Sequence, residues 1–199
     1  MRAIVTGGAG FIGSHMVDLL LDRGFDVRVI DNLVTGRLDN LAHHASNNKC
    51  TFQQMDVCDL EPKSSLVEGV DYVFHFAGIG DIVPSIERPM EYMRANVQGT
   101  MAVLETARHA RVRKLVYAAS SSCYGLATEV PTPETAAIKC EYPYALSKYM
   151  GECSALHWHQ VYRLPVNTIR IFNAYGPRSR TSGAYGAVFG VFLDRKSVV

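Results

Sequence analysis

A chain of 199 residues, 48% hydrophobic and 20% charged, with 16 glycines and 8 prolines, has the composition of a folded domain and enough length for one sizeable core. Its formal net charge of +1 is scattered, with no basic stripe and no acidic tail, which argues against a nucleic-acid partner. The five cysteines (Cys50, Cys58, Cys123, Cys140 and Cys153) show no C-x-x-C pair, so neither a disulfide framework nor a zinc site is expected. With neither a signal-like start nor a run near the ~20 apolar residues of a membrane span, a soluble cytoplasmic protein is expected.

Short β-branched runs alternate with longer segments of helical period, the pattern of repeated βαβ units and a parallel sheet. Strands are predicted near residues 3–6, 26–30, 51–55, 72–76, 114–119 and 167–172, with helices over 11–23, 61–68, 89–110 and 143–162. In the helix from Pro89, the spacing of Met93, Val97, Met101 and Leu104 predicts a core-facing stripe. Asn96 and Gly99 are poor helix formers within it. A close-packed glycine with a solvated asparagine is one reading, and a functional pair the other.

The stretch TGGAGFIG follows the first predicted strand and opens the first helix. Gly7, Gly10 and Gly13 fit G-x-x-G-x-x-G, and Gly8, Gly10 and Gly13 fit G-x-G-x-x-G. Either way, a tight turn without Cβ atoms lets the backbone approach a pyrophosphate, and the helix N-terminus offers free N–H groups. Asp31 ends the second strand near the ~20-residue offset expected of the acid that binds an adenosine ribose. Its carboxylate would repel a 2′-phosphate, so NAD is favoured over NADP even with Arg37 nearby. Asp56 and Val57 end the third strand, and Phe76, Ala77 and Gly78 the fourth. By position alone, they would border the same crevice.

Tyr144 and Lys148 are four apart on a helix that Pro143 would start, so they share a face. A neighbouring ammonium favours the phenolate, and a nicotinamide cation would act the same way. Ser120, ending the fifth strand, would hydrogen-bond the substrate oxygen as its proton leaves. Elsewhere the bland readings prevail. His43 and His44 fall in a polar loop, His15 and His109 on helix surfaces, and His75 at a buried strand end. His157 and His159 diverge, and Cys123 reads as a packed side chain. No metal site is expected.

These segments, with DNL at 31–33, HFAG at 75–78, NVQGT at 96–100, AASSSCYG, YPYALSK and RIFNAYGPR at 170–178, resemble in order the extended short-chain dehydrogenase/reductases. The similarity is to their NAD-dependent nucleotide-sugar epimerase/dehydratase group. It implies an α/β fold, a Rossmann-type doubly wound sheet holding NAD, a Ser120–Tyr144–Lys148 triad and a nucleotide diphosphate-sugar substrate. It adds Phe11, Ile12, Asn32 and Asn96 to the cofactor set, with Asn96 as a support for the site. Ser122 and Asn173 become substrate contacts beside Ser120 and Tyr144. A homodimer through helices 89–110 and 143–162 is also implied.

Dehydrating members resemble Thr-Asp-Glu where this chain has Ser120, Ser121 and Ser122. A run of hydroxyls alone points to 4-epimerisation of a UDP-hexose-class sugar. The alternatives are a dehydratase or other oxidoreductase of the group, or a non-catalytic NAD-binding sensor. Residues 1–193 read as the NAD-binding domain with the start of a substrate region whose lobe is largely missing. Asp194 to Val199 read as a non-native tail of the kind a sequencing adapter encodes. The expectation is then a fragment inactive by itself, with strand 167–172 at an exposed sheet edge.

Overall fold

The structure is a computed structural model that describes residues 1–179. Six strands form one parallel sheet: β1 (Arg2–Thr6), β2 (Asp26–Asp31), β3 (Cys50–Gln54), β4 (Tyr72–His75), β5 (Lys114–Ser120) and β6 (Val166–Ile171). Their spatial order is β3-β2-β1-β4-β5-β6, so the chain winds outward in one direction from β1 and then in the other from β4. This is the doubly wound sheet of Rossmann type, and the reversal between β1 and β4 opens a crevice at the strands' carboxyl ends. All six predicted strands are present. Residues 180–199, which include the expected non-native tail at Asp194 to Val199, lie outside the described residues.

Alternation along each strand divides the core into two layers. In β1, Ile4 packs with Ile30, Val73, Leu104, Leu115 and Tyr117, while Val5 packs on the opposite face with Val17, Leu20, Val27 and Val29. Four consecutive buried residues in β1 are what a central parallel strand covered on both faces requires. Helix α1 (Phe11–Asp22) covers one face; the long helices α4 (Gly99–His109) and α5 (Pro143–Tyr162) cover the other. None of the helices among the described residues is long and apolar enough to cross a membrane.

Two expectations fail for local reasons. The helix expected over 61–68 is absent; 3₁₀ turns stand at Val57–Asp59 and Ser65–Val67, capped by the side chains of Asp56 and Ser64. Pro62 disfavours helical geometry in the residue before it, and the serines bond the backbone locally instead. The predicted helix from Pro89 is interrupted. An α-helical turn, α3 (Pro89–Tyr92), passes through a π-helical stretch, Met93–Gln98, before α4 begins. A short helix missed by the sequence reading, α2 (Ile82–Glu87), precedes it.

The wider π turn rotates the face that follows it. Val97 and Leu104 are buried as expected, but Met101 is 38% exposed, and Thr100, Val103 and Ala107 take the core instead. Gly99 packs as the close-contact reading required: a Cβ there would lie 2.9 Å from Val57 Cγ2.

Pro143 stands at the first turn of α5, and the buried residues Ala145, Lys148, Glu152 and Ala155 recur every three or four positions. Gly151 shares that face because Tyr117 crosses it; a Cβ would lie 2.9 Å from Tyr117 Cζ and strike the hydroxyl as well. Gly151→Ala is therefore expected to destabilise the chain by about 1–3 kcal/mol despite alanine's higher helix propensity. A urea midpoint equal to or above that of the parent, at unchanged m-value, would contradict this packing.

Candidate active site

A cleft of about 1030 Å³ lies over the β1/β4 reversal. Its wall begins with the turn after β1. Gly7 has φ +69°, and a Cβ there would lie 2.6 Å from the Ala77 nitrogen, so only glycine lets this turn pass the end of β4. At Gly13 a Cβ would collide with the Gly7 carbonyl, and absence of a side chain draws α1 tight against the turn. Gly10 caps α1 without any side-chain hydrogen bond. The first-turn N–H groups thus face a cleft lined by Gly10, Phe11, Ile12 and Gly13, an arrangement suited to a phosphate anion.

Asp31, at the end of β2, is 6% exposed yet lines this cleft. Its Oδ2 accepts the Ala9 N–H at 3.0 Å and its Oδ1 the Leu33 N–H at 2.8 Å. Two of its roughly four lone-pair directions are thereby used, and a fixed carboxylate keeps acceptor capacity for a pair of hydroxyls. Asn32 lies beside it in the wall. The glycine cradle and this oriented acid together fit an adenine dinucleotide.

Asp56, Val57, Phe76, Ala77 and Gly78 also line the cleft. Asp56 is committed elsewhere, with Oδ2 2.6 Å from Arg94 Nη1 and Oδ1 accepting the Cys58 N–H at 2.9 Å. Burial pushes its pKa up, but these hydrogen bonds and the guanidinium charge outweigh it and hold the carboxyl below its ordinary value.

Asn96 is neither solvated nor in the cleft wall. It is 1% exposed; its Oδ1 accepts the Ile79 N–H at 2.8 Å, while its Nδ2 donates to the Ile79 carbonyl at 3.0 Å and to Ser147 Oγ at 2.9 Å. The amide fastens the loop after β4 to α5 from behind. This placement corrects its solvated reading and puts the amide behind the cleft, where it supports the wall.

At the other end of the cleft, β5 delivers Ser120 and α5 delivers Tyr144 and Lys148. Ser120 Oγ is 2.7 Å from Ser122 Oγ and accepts a long hydrogen bond, 3.4 Å, from the Tyr144 hydroxyl. Ser121, Ser122 and Asn173 border the same space. The Lys148 ammonium is nearly buried and stands 4.6 Å from the centroid of the Tyr117 ring, a cation–π seat. The Tyr117 hydroxyl donates to the Lys148 carbonyl at 3.2 Å.

The electrostatics depart from expectation. Burial pushes the Tyr144 phenol above its ordinary pKa; the Ser120 hydrogen bond opposes this, and the charge of Asp81 adds to it. Burial also drives Lys148 down to about 8. An ammonium four residues away is expected to lower the phenol, but the loss of water penalises both charged forms and dominates. His75 is fully buried, held down to about 3 by burial and then by the Lys148 charge, and wedged between Thr6 Oγ1 at 2.6 Å and Thr100 Oγ1 at 3.0 Å. It is a neutral packing group and takes no part in the cleft wall.

A buried cation with a depressed pKa costs stability wherever the unfolded chain is protonated and the folded one resists protonation. Between pH 8 and 10.5 the unfolded state binds more protons at this site, so stability rises with pH, and below about 8 the cost is fully present. Lys148→Met is accordingly expected to stabilise the cofactor-free chain at pH 7, by at most about 3 kcal/mol, with the gain fading between pH 8 and 10.5. Thermal melts across that range test this; a destabilised variant at pH 7 would contradict it.

Sequence reasoning missed the polar network beneath the serine turn. Arg170 of β6 grips Glu152 of α5 through Nε at 3.0 and 3.1 Å and Nη2 at 2.8 Å, and reaches the Tyr124 hydroxyl at 2.6 Å. The available signal was Glu152 itself, a charge one turn beyond Lys148 on the helix's buried face, where it demands a partner.

A model of the NAD dependent epimerase/dehydratase family matches residues 3–198. The UDP-glucose 4-epimerase of Mycolicibacterium smegmatis is 37% identical over 190 residues, covering 94% of this chain and 61% of that protein. The dTDP-glucose 4,6-dehydratase of Streptomyces niveus is 35% identical over 184 residues, 89% of this chain and 55% of its own length. A solved UDP-N-acetylglucosamine 4-epimerase from Methanobrevibacter ruminantium M1, in complex with UDP-N-acetylmuramic acid, has a TM-score of 0.92 at 31% identity, covering 97% of this chain and 61% of that one. This chain thus spans roughly three fifths of the length of the relatives it matches. Because the family match runs through the glycine turn, Asp31, the serine run and the Tyr144–Lys148 helix, the chain belongs to the NAD dependent epimerase/dehydratase family.

Proposed function

We propose that the protein carrying this chain is a nucleotide-sugar 4-epimerase of the UDP-hexose class. NAD is the family's cofactor, and the glycine cradle with the half-used Asp31 carboxylate fits it. The single observation favouring epimerisation is the run Ser120–Ser121–Ser122, which faces the Tyr144 end of the cleft with hydroxyls alone. Loss of water across a carbon–carbon bond calls for a further acid and base, and this run supplies neither.

Bound NAD supplies reversible acceptance of a hydride from the sugar carbon. The protein's own groups handle binding and protons. The first-turn N–H groups of α1 take the cofactor's diphosphate, and Asp31 takes its ribose hydroxyls while repelling a 2′-phosphate. Tyr144 removes the proton of the sugar hydroxyl as that carbon is oxidised, with Ser120 hydrogen-bonded to the same oxygen. Lys148 offsets the charge left on the phenolate. After the 4-keto sugar turns its other face, Tyr144 returns the proton, and no net oxidation results.

The test is product analysis of the full-length protein with UDP-glucose, UDP-galactose and their N-acetylated and uronic analogues, without added cofactor. Inversion at C4 is the expected outcome. Release of a 4-keto-6-deoxy sugar would establish the dehydratase reading instead, in line with the Streptomyces relative. NAD binding with no turnover of any sugar would leave only a sensor role.

A further inference from the structure

Among the described residues, the cleft leaves unused one group of ligating side chains, beside α1. Asp18 of α1 meets His43 and His44, which end the 3₁₀ helix Leu38–His44. Nε2 of His43 lies 2.8 Å and Nε2 of His44 2.7 Å from the same Asp18 oxygen, Oδ1. These ligand atoms all fall within 4.8 Å of one another. Successive residues of a 3₁₀ helix point roughly 120° apart, so adjacent histidines normally diverge. Here both rings swing onto one oxygen, their centroids 4.0 Å apart.

A double hydrogen bond to a surface carboxylate would account for the two distances, but three further features favour an ion. The donor set of two imidazoles and one carboxylate is the borderline-soft combination that suits zinc-class ions and leaves a position for water. The other carboxylate oxygen, Oδ2, is already held by Arg178 Nη2 at 2.8 Å, the kind of outer hydrogen bond that orients ligating carboxylates. Access is open, since the side chains of His43 and Asp18 are 46% and 25% exposed.

We infer that Asp18, His43 and His44 bind one divalent transition-metal ion of the zinc class, with water completing its coordination. The ion is a clip and takes no part in the cleft chemistry. It fastens α1 to the 3₁₀ helix and, through Asp18 and Arg178, to the segment after β6, where His15 Nε2 also meets the Pro177 carbonyl at 2.9 Å. Arg37, Asn40, Arg178 and Ser179, from the two clipped segments, also line the cleft. Sequence reasoning had no access to this set, because the carboxylate lies 25 residues before His43 in another element.

The inference is tested on the full chain, stripped with a chelator and then titrated with Zn²⁺ by calorimetry and with Co²⁺ by visible absorption. One equivalent should bind, with a four-coordinate Co²⁺ spectrum lacking thiolate charge transfer. Zn²⁺ at a hundred times its Kd should raise the melting temperature by roughly 5–10 °C. His44→Gln and the surface variant His43→Gln should each weaken binding at least tenfold. A variant with all five cysteines replaced by serine should bind unchanged. Absence of stoichiometric binding, a thiolate-ligated spectrum, or affinity unaltered in His43→Gln would overturn the assignment. None of these readouts depends on which sugar reaction the protein performs.

Discussion

On the proposed function, Tyr144→Phe in the full-length protein is expected to lower kcat by about 10²- to 10⁴-fold, the usual contribution of a positioned proton-transfer group, while binding of NAD should change little. In the proposed reaction the phenol is the group assigned to the sugar's proton; Ser120 is bonded to it at 3.4 Å, and the Lys148 ammonium is turned toward the Tyr117 face. Phenylalanine keeps the ring and its edge-on contact with Tyr92, whose centroid is 6.3 Å away, so the fold should survive. Burial raises the Tyr144 pKa in the protein alone, and a bound nicotinamide cation would pull it down. The same variant therefore separates two quantities. Titration of the tyrosine absorbance should show a phenol ionising at lower pH when NAD is bound, and this component should vanish in Tyr144→Phe. A loss of less than tenfold in kcat would remove Tyr144 from the role of proton carrier.

The fold was legible in the sequence because each strand is a compact apolar run and each main helix opens on a recognisable signal, TGGAGFIG before α1 and Pro143 at α5. The residues bordering the cleft were legible for a related reason: a parallel sheet puts its ligand at the strand ends, and Asp31, Gly78 and Ser120 end or follow strands. Features set by tertiary context were not readable. The π stretch at Met93–Gln98 turns Met101 outward and carries Asn96 inward, and no pattern of hydrophobic spacing encodes that extra residue per turn. The pKa of Tyr144 depends on how far its surroundings exclude water, which spacing on a helix cannot reveal.

The other large effect is on stability. Arg170→Leu strands the Glu152 carboxylate, which is 4% exposed, against an apolar side chain, and removal of one partner from such a pair costs about 3–5 kcal/mol. The guanidinium does more than neutralise one charge: it spans β6, α5, the Tyr124 hydroxyl and the Glu134 carbonyl, and stacks 4.9 Å from the Tyr124 ring centroid. Glu152→Gln removes the charge but keeps the shape and an acceptor, so its cost should be smaller than that of Arg170→Leu. The double replacement Glu152→Leu, Arg170→Leu should recover a substantial part of the loss, because no unpaired ion is then left inside. Additive losses in that cycle, measured by urea unfolding, would mean that the two side chains contribute independently. Coupling would establish one buried ion pair joining the last described strand to the helix that carries Tyr144 and Lys148, and so a structural tie between β6 and the proposed proton-transfer site.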